Sequence, residues 1–592
     1  MLGIWLGWFM SQQGLLAATV DTSPPLREPA GKPSIRAIQV ETGPTIDGQL
    51  DESVWLQAPA AGPLWQYDPA TSEAMSEKTL FRILYDKDYL YIGVWCYDSD
   101  PGAINARVMQ RDNRSIYSDD YLYMALDTFH DQRNGYIFVV NPNGARYDQI
   151  VSNNIFLNSN WDGVWQAGAS IDSEGWKAEL AIPFKSLSFD PKETTWGFNI
   201  SRSISRKVER GRWTGAKPNL HTYHVSQAGD IVGLRGLRQG LGIELSPYVL
   251  GRWRDQGNSS NASADFGTDA RYRITPNLSA TLSYNTDFAE AEVDQRQLNF
   301  TRFPLFFPER RAFFLEDSGV FEYGGLTTSS RTRGLSRPVL PFFSRRIGRD
   351  TLGRSVPILL AAKIAGRHGK TSMGFIDAVL EDHQGLGMQN TFAGRVARDV
   401  FEQSSIGMIS TAGNPNASTD NMVFGPDFRY RTAGVGNGQV FEANLFALGS
   451  RSDGSENPAG HAYGASLAYP NDFFRAHAQF VEISEHFDPA LGFVQRKQTR
   501  GYYTYASINP RPERPEWLRQ YRMAYSTEHY TDLQNRLETA LHRITPLWLE
   551  FNSGDELYLS VDRQFDGPRE PFTILDTIDI PRGEYWWNQY RL

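Results

Sequence analysis

At 592 residues the chain is too long for one domain, and about two to four units are expected. Aromatics make up 13% and charged residues 21%, and no apolar run reaches the ~18 to 20 residues of a spanning helix; this excludes a bundle of transmembrane helices but not a barrel, whose strands are only half apolar. The net charge of -9 is spread along the chain and excludes the basic footprint of a nucleic-acid binder, and a single cysteine, Cys96, excludes an intrachain disulfide.

Residues 1–20, with the apolar run Leu2 to Met10 and small residues at Ala17 and Ala18 but no basic n-region, read as a partial signal peptide. A linker over 21–37 carries the Pro-rich stretch Pro24 to Pro33. Strand-like runs follow: Leu80 to Tyr85, Tyr89 to Tyr97, Tyr121 to Leu126, Gly135 to Asn141, Gln166 to Ile171, Gly175 to Ile182 and Thr195 to Ser201. Turn signals such as Asp86-Lys87-Asp88, Asn141-Pro142-Asn143-Gly144 and Asp172-Ser173-Glu174-Gly175 separate them at hairpin spacing. The pattern predicts a β-sandwich over 38–237, with Cys96 as a small buried apolar residue in a strand.

Four motifs in this unit stand in a definite order: IDGQLDESVW from Ile46, LYIGVWCYDSDP from Leu90, SDDYLYMALDT from Ser118, and WKAELAIPFKSL from Trp176 followed by WGFNISR. In this order they resemble the family 9 carbohydrate-binding modules. The resemblance implies two aromatic rings clamping a sugar, helped by charged groups that bond its hydroxyls. The first clamp position corresponds to Tyr117, just before Asp119 and Asp120, and the second falls near Tyr223, with Trp213 as another candidate. Asp120 is the implied hydroxyl acceptor. The family's helper arginine corresponds to Val139, so weak binding or a changed ligand is expected.

The unit from 242 to 592 alternates apolar and polar residues at period 2. Ala280, Leu282 and Tyr284 oppose Thr281, Ser283 and Asn285; Phe441, Ala443, Leu445 and Ala447 oppose Glu442, Asn444 and Phe446; Tyr463, Ala465 and Leu467 oppose Gly464, Ser466 and Ala468; Leu557, Leu559 and Val561 oppose Tyr558, Ser560 and Asp562. One apolar face and one small or polar face suit lipid outside and water inside. Aromatics at Tyr502, Tyr503 and Tyr505 and at Tyr585, Trp586 and Trp587 are placed as an interfacial girdle. A propeller or a pair of secreted sandwiches is the alternative fold for such strands.

Between these strands, Asn285 to Glu316 crowds acids, bases and aromatics without apolar periodicity, and reads as the lining of a barrel entrance. The run NTDFAEAEVDQRQLNFTRFPLFFPERRAFFLEDSGVF, followed by FFSRRIGR at Phe342 to Arg349, resembles the signature of the family of domain of unknown function 5916. The resemblance covers 285–349 and implies an outer-membrane barrel following just such a module. Family members continue for more strands, so truncation of the barrel, and with it closure, stays open.

Candidate pore residues are Asp287, Glu292, Asp294, Arg296, Glu309, Arg310, Arg311, Arg345, Arg346 and Arg349. Acids interleaved with arginines predict a salt-bridged lumen network. Arg345, Arg346 and Arg349 suit either an anion-attracting rung or pairing with Glu309 and Glu316. The Phe303 to Phe314 aromatics are expected to pack an inward-folded loop. Asp119 and Asp120, adjacent in a strand, point to opposite faces and cannot flank one glycosidic bond. The histidines show no metal-ligand spacing, His221 with His224 being an isolated pair, and whether a metal binds is left unknown.

The sequence therefore predicts an all-β protein: an N-terminal sandwich followed by a transmembrane antiparallel β-barrel in the outer membrane of a Gram-negative bacterium. The module is expected in the periplasm. Its partners would be a carbohydrate or other polar small ligand and outer-membrane lipid, with no nucleic acid, an undetermined oligomeric state and no cofactor beyond an optional structural calcium in the sandwich. The function expected is capture or passage of a glycan or another polar ligand. The alternative is a secreted or surface glycan hydrolase targeted by its module.

Overall fold

The computed structural model describes residues 27–238, 242–255, 260–275, 277–286, 298–326, 335, 338–436, 438–454, 459–574 and 578–592. Asp287, Glu290, Glu292, Asp294 and Arg296 lie outside the described residues. Two β architectures share the chain, as the sequence predicts.

The first is a sandwich of a nine-stranded and a five-stranded sheet among the described residues. The larger runs in the order Ser34–Arg36, Gly229–Val232, Thr195–Ile204, Tyr121–Asp127, Gly135–Val140, Arg146–Ser152, Phe156–Asn158, with Glu209–Arg212 and Trp65–Asp68 off that path. The smaller runs Gln166–Asp172, Gly175–Pro183, Tyr89–Tyr97, Thr79–Tyr85, Ile38–Gln39. Every predicted strand is present within about three residues of its expected ends. The unread ones, such as Arg146–Ser152 and Glu209–Arg212, are polar and lack the apolar alternation by which a strand is recognised.

Each turn signal acts through its side chain, as Asx turns do. Asp86 Oδ1 accepts from the amides of Asp88 and Tyr89, Asn141 Oδ1 from those of Asn143 and Ala145, and Asp172 Oδ1 from that of Glu174. Between the sheets Phe81, Ile83, Ile92, Val94, Cys96, Trp176 and Leu180 meet Leu122, Met124, Phe138, Trp196 and Phe198 in one dry core. Burial pushes the Cys96 thiol up to about 12, so it stays protonated and inert.

The recognised motifs occur together because they are bonded together. Glu179 of the fourth motif accepts from the Gly48 and Asp47 amides at 2.8 and 3.1 Å and from Trp55 Nε1 at 3.0 Å, all in the first. Gly48 has φ +86° and its place admits no Cβ, which would lie 2.6 Å from the Ala169 amide nitrogen. Arg202, buried in WGFNISR, reaches Asp98 of the second motif at 3.3 Å and the Tyr97 carbonyl at 2.8 Å.

The second architecture is one antiparallel sheet of sixteen strands in sequential order, from Ile243–Asp255 to Tyr585–Arg591. Among the described residues no pairing joins its first strand to its last, so the sheet is open. Its two faces follow the predicted alternation. Leu282, Tyr284, Ile364, Leu445, Tyr463, Leu467, Ile544 and Leu557 stand exposed, while Thr281, Ser283, Lys363, Ser466, Ser560 and Asp562 are buried on the other face. Tyr502 is exposed, but Tyr503 faces inward against Tyr530, and Tyr505 packs on the same inner cluster, because neighbours in a strand alternate. Only part of the expected tyrosine girdle therefore lies on the outer face.

The inner face wraps the described parts of the segment, 298–326 and 338–357. Phe313 and Phe314 pack on Ala361, Ile376 and Ala378, and Tyr323 packs with Val423, Phe446 and Leu448. Lys363, inward and buried, donates to the carbonyls of Phe313 at 2.7 Å and Glu316 at 3.0 Å.

One contact shows how the segment is held. Pro426 stands opposite Ala447 in the Asn421–Val435 and Gln439–Ser452 pair, where the ladder is interrupted between Phe424 and Asp427. Proline offers no N–H, so the Ala447 carbonyl lacks its ladder donor. The Tyr323 hydroxyl fills the gap, 2.8 Å from that carbonyl and 2.7 Å from the Pro426 carbonyl. Tyr323→Phe should then lower the stability of the folded sixteen-stranded sheet by about 1–3 kcal/mol, the cost of a buried carbonyl left without its donor. Urea unfolding in detergent followed by gel migration checks this, and an unchanged midpoint would refute it.

Candidate functional site

All the connections at one end of the sheet are short: 276–277, 369–370, 401–403, 436–438, 471–473, 509–517 and 552–555. The longest, 285–357, lies at the other end. The sandwich docks on the short-turn end. Arg133 of the sandwich is 3.0 Å from Asp399, both nearly dry, and donates to the Phe401 and Glu402 carbonyls of the adjacent turn. Arg367 bonds the other oxygen of Asp399. On the far side Asp68 lies 3.4 Å from Arg511 and 3.3 Å from Arg519, and Arg519 also donates to the Val208 carbonyl at 2.8 Å. Asn219 and Asn471 hydrogen-bond across the same junction at 3.2 Å.

This docking forms a solvent-open cavity of about 620 Å³. The sandwich contributes Tyr67, Asp68, Arg114, Tyr117, Tyr121, Tyr123, Tyr147, Gln149, Arg210, His221 and Tyr223. The turns and strand ends of the large sheet contribute Asp472, Arg475, Arg511, Gln520, Arg522 and Glu550. Tyr117 is the hub of the aromatic wall. It meets Tyr121 edge-on at 5.4 Å and Tyr147 at 5.6 Å, and tilts against Tyr123 at 6.4 Å. Gln149 Nε2 donates to the Tyr123 hydroxyl at 3.2 Å and the Tyr117 hydroxyl at 3.4 Å. Burial holds the Tyr117 and Tyr123 hydroxyls above the usual phenol range and pushes Tyr121 up to about 12, so they remain neutral donors and acceptors.

Two of the four candidate ligand-binding residues share this cavity. Tyr117 and Tyr223 both line it, and Tyr223 is stiffened by stacking on His221 at 4.6 Å. Trp213 does not: it is 4% exposed, edge-on to Phe81 at 5.2 Å inside the sandwich core. Asp120 does not either. It is fully buried, Oδ1 accepts from the Ser205 amide at 2.9 Å, and burial raises its carboxyl pKa. Asp119, also buried, accepts from the Arg107 and Val108 amides. Both aspartates hold loops in place. Val139 is buried in its strand beside Tyr147, and the guanidinium on this wall is that of Arg114, 3.5 Å from the Tyr147 hydroxyl.

The described pore candidates form a separate cluster at the inward segment. Glu309 is bonded by Arg311 and by Ser344 Oγ at 2.7 Å, and Arg311 also donates to the Ile347 carbonyl at 2.6 Å. Arg345, Arg346 and Arg349 donate to the carbonyls of Pro308, Gly492 and Gly353. Glu316 pairs with Arg271, 3.1 Å away. Arg310 follows Glu309, whose carboxylate accepts its amide at 2.9 Å. Beside Arg114, the basic residues that reach the cavity carried no signal: Arg210 stands in a short polar strand of the module, and Arg475, Arg511 and Arg522 stand in polar turns and strand ends hundreds of residues from Tyr117.

Residues 46–214 match the family described as Carbohydrate family 9 binding domain-like, and residues 240–406 match Domain of unknown function (DUF5916). The chain thus carries a stretch similar to family 9 binding domains followed by a stretch similar to DUF5916. A family 9 carbohydrate binding module from Caldicellulosiruptor kristjanssonii, solved in complex with cellotriose, is similar at 19% identity and TM-score 0.25, covering 35% of this chain and 95% of that one. A putative carbohydrate-binding protein from Bacteroides uniformis is similar at 13% identity and TM-score 0.29, covering 34% and 99%. Acinetobacter baumannii OccAB2 is similar at 9% identity and TM-score 0.27, covering 79% and 96%. No curated protein matches this chain.

Core and cavity aromatics of the family 9-like module should respond differently to truncation. Trp213→Ala should destabilise the module by about 3–5 kcal/mol, as large buried rings do. Tyr117→Ala, on the cavity wall, should cost less than half of that. Equal losses in denaturant titrations of the two variants would place Tyr117 in the core instead.

Proposed function

We propose that this is an outer-membrane β-barrel protein whose family 9-like module, on the periplasmic side, presents a carbohydrate or similar polar ligand to the barrel mouth for capture or passage. The observation that carries the reading is that the module's tyrosine wall and the barrel's turn arginines line one cavity. Tyrosine faces suit the C–H faces of a sugar ring, and the surrounding hydroxyls, amide and guanidinium groups suit its hydroxyls.

The membrane assignment rests on the outer face of the sixteen-stranded sheet. Leu245, Val249, Phe266, Leu282, Ile364, Met408, Leu445, Leu467, Ile544 and Leu557 are all exposed there, far more contiguous apolar surface than a water-soluble protein leaves uncovered. An even number of strands, with short turns at one end and the longest loop at the other, is how outer-membrane barrels are built, with the short turns periplasmic. The family 9-like module sits on the short-turn end, which supports a periplasmic position. The hydrolase alternative finds less support, since the acids lining the cavity, Asp68, Asp472 and Glu550, all have arginine partners within 4 Å.

Two measurements test the reading. Native full-length protein should fractionate with outer membranes and migrate faster on gels before boiling than after, and Leu445→Arg should weaken insertion by about 2–4 kcal/mol if its site is near the midplane. Recovery in the soluble fraction with no heat-modifiable band would contradict the membrane assignment. In detergent, Tyr117→Ala should lower saccharide affinity roughly 5- to 150-fold, as loss of an aromatic anchor worth about 1–3 kcal/mol would. Unchanged affinity would place the ligand elsewhere.

A further inference from the structure

The charge of the shared cavity differs from that of the chain. The protein carries a net charge of -9, yet five arginines face this cavity against three carboxylates. The barrel arginines are partly neutralised: Arg511 reaches Asp472 at 3.0 Å, Arg475 lies 3.9 Å from Asp472, and Arg522 lies 3.4 Å from Glu550. The module arginines are not. Among the described residues the Arg210 guanidinium has no hydrogen bond or ion pair, although Tyr121, Tyr67, Asp68 and Glu550 are near enough to favour its charge, and the Arg114 guanidinium has only the long contact to the Tyr147 hydroxyl. A concave site with tyrosine walls concentrates such an excess of positive potential.

From this we propose that the ligand of the cavity is an acidic saccharide, whose ring lies on the Tyr117 and Tyr223 side while its carboxylate is held by Arg210 and Arg114. The proposal rests on the reading of the cavity as a carbohydrate site and adds the class of sugar. Guanidinium presents a planar fork of donors that matches a carboxylate in two parallel hydrogen bonds, stays charged at any physiological pH, and sheds its water more easily than an ammonium does. A neutral sugar could accept from these guanidinium groups through its hydroxyls but would leave their charge uncompensated. An acidic one compensates both their charge and their open donors.

The test uses the full chain in detergent and two probes, trigalacturonate and its methyl ester, which present the same rings with and without charge. Calorimetric titration at low salt should show trigalacturonate binding at least tenfold more tightly than the ester, with the preference shrinking as salt rises. The double variant Arg114→Gln, Arg210→Gln should bring the preference below about threefold while the ester still binds. Arg114→Lys, Arg210→Lys, which keeps the charge, should retain most of it, and unaltered heat-modifiable migration confirms that each variant is folded. Equal binding of both probes, abolished by Tyr117→Ala, would overturn the acidic class and leave the carbohydrate site standing. Binding of neither probe, nor of cellotriose, would overturn the site as well. Displacement of trigalacturonate by an equal concentration of sodium sulfate, with the ester unbound, would mean a bare anion site and overturn the saccharide part.

Discussion

Two carboxylates fix the relation on which the proposed function depends. Asp399, at the end of a barrel strand, is shared between Arg133 of the module and Arg367 of the barrel. Asp68, on the module, is shared between Arg511 and Arg519 of the barrel. Each carboxylate has two guanidinium partners; the Asp399 clamp is nearly dry, so removing one group there would strand a buried charge, a loss of about 3–5 kcal/mol in comparable buried pairs, whereas Asp68 and Arg511 stay partly exposed at the cavity and would lose less. Because the clamps stand at opposite sides of the junction, they set orientation as well as proximity. The tyrosine wall then faces the barrel.

That orientation turns two incomplete surfaces into one site. The module supplies rings, hydroxyls and two underused arginines; the barrel turns supply the opposing polar wall. Deeper in, residues 298–326 pack on the inner face, held by Lys363 on the Phe313 and Glu316 carbonyls and by the Tyr323 hydroxyl at the gap that Pro426 makes in the ladder.

Much of the fold was legible because period-2 alternation is a direct imprint of two different environments on one strand. Leu445 outside and Phe446 inside could be read from sequence, and so could the Asx turns at Asp86 and Asn141. Strands without apolar alternation, such as Arg146–Ser152, could not. Of the site, Tyr117 and Tyr223 were reachable through the order of the four motifs. Trp213 and Asp120 were placed beside them by the same reasoning, but their side chains serve the core and a loop anchor. A motif fixes backbone position better than it fixes which face a side chain takes. The barrel half of the cavity was invisible, because nothing in residues 472–550 indicates that their turns meet a tyrosine 350 residues earlier; that proximity exists only once both clamps form.

The docking is therefore the claim to test most directly. Asn219 and Asn471 face each other across the junction, side chain to side chain, at 3.2 Å, and the native Cys96 is buried and out of reach. With both asparagines replaced by cysteine in the full-length protein in outer membranes, mild oxidation should yield an intramolecular disulfide in most molecules, seen as a gel shift reversed by reductant. Failure of the pair to cross-link, with each single cysteine readily labelled by a maleimide, would show that the module does not sit on the barrel mouth.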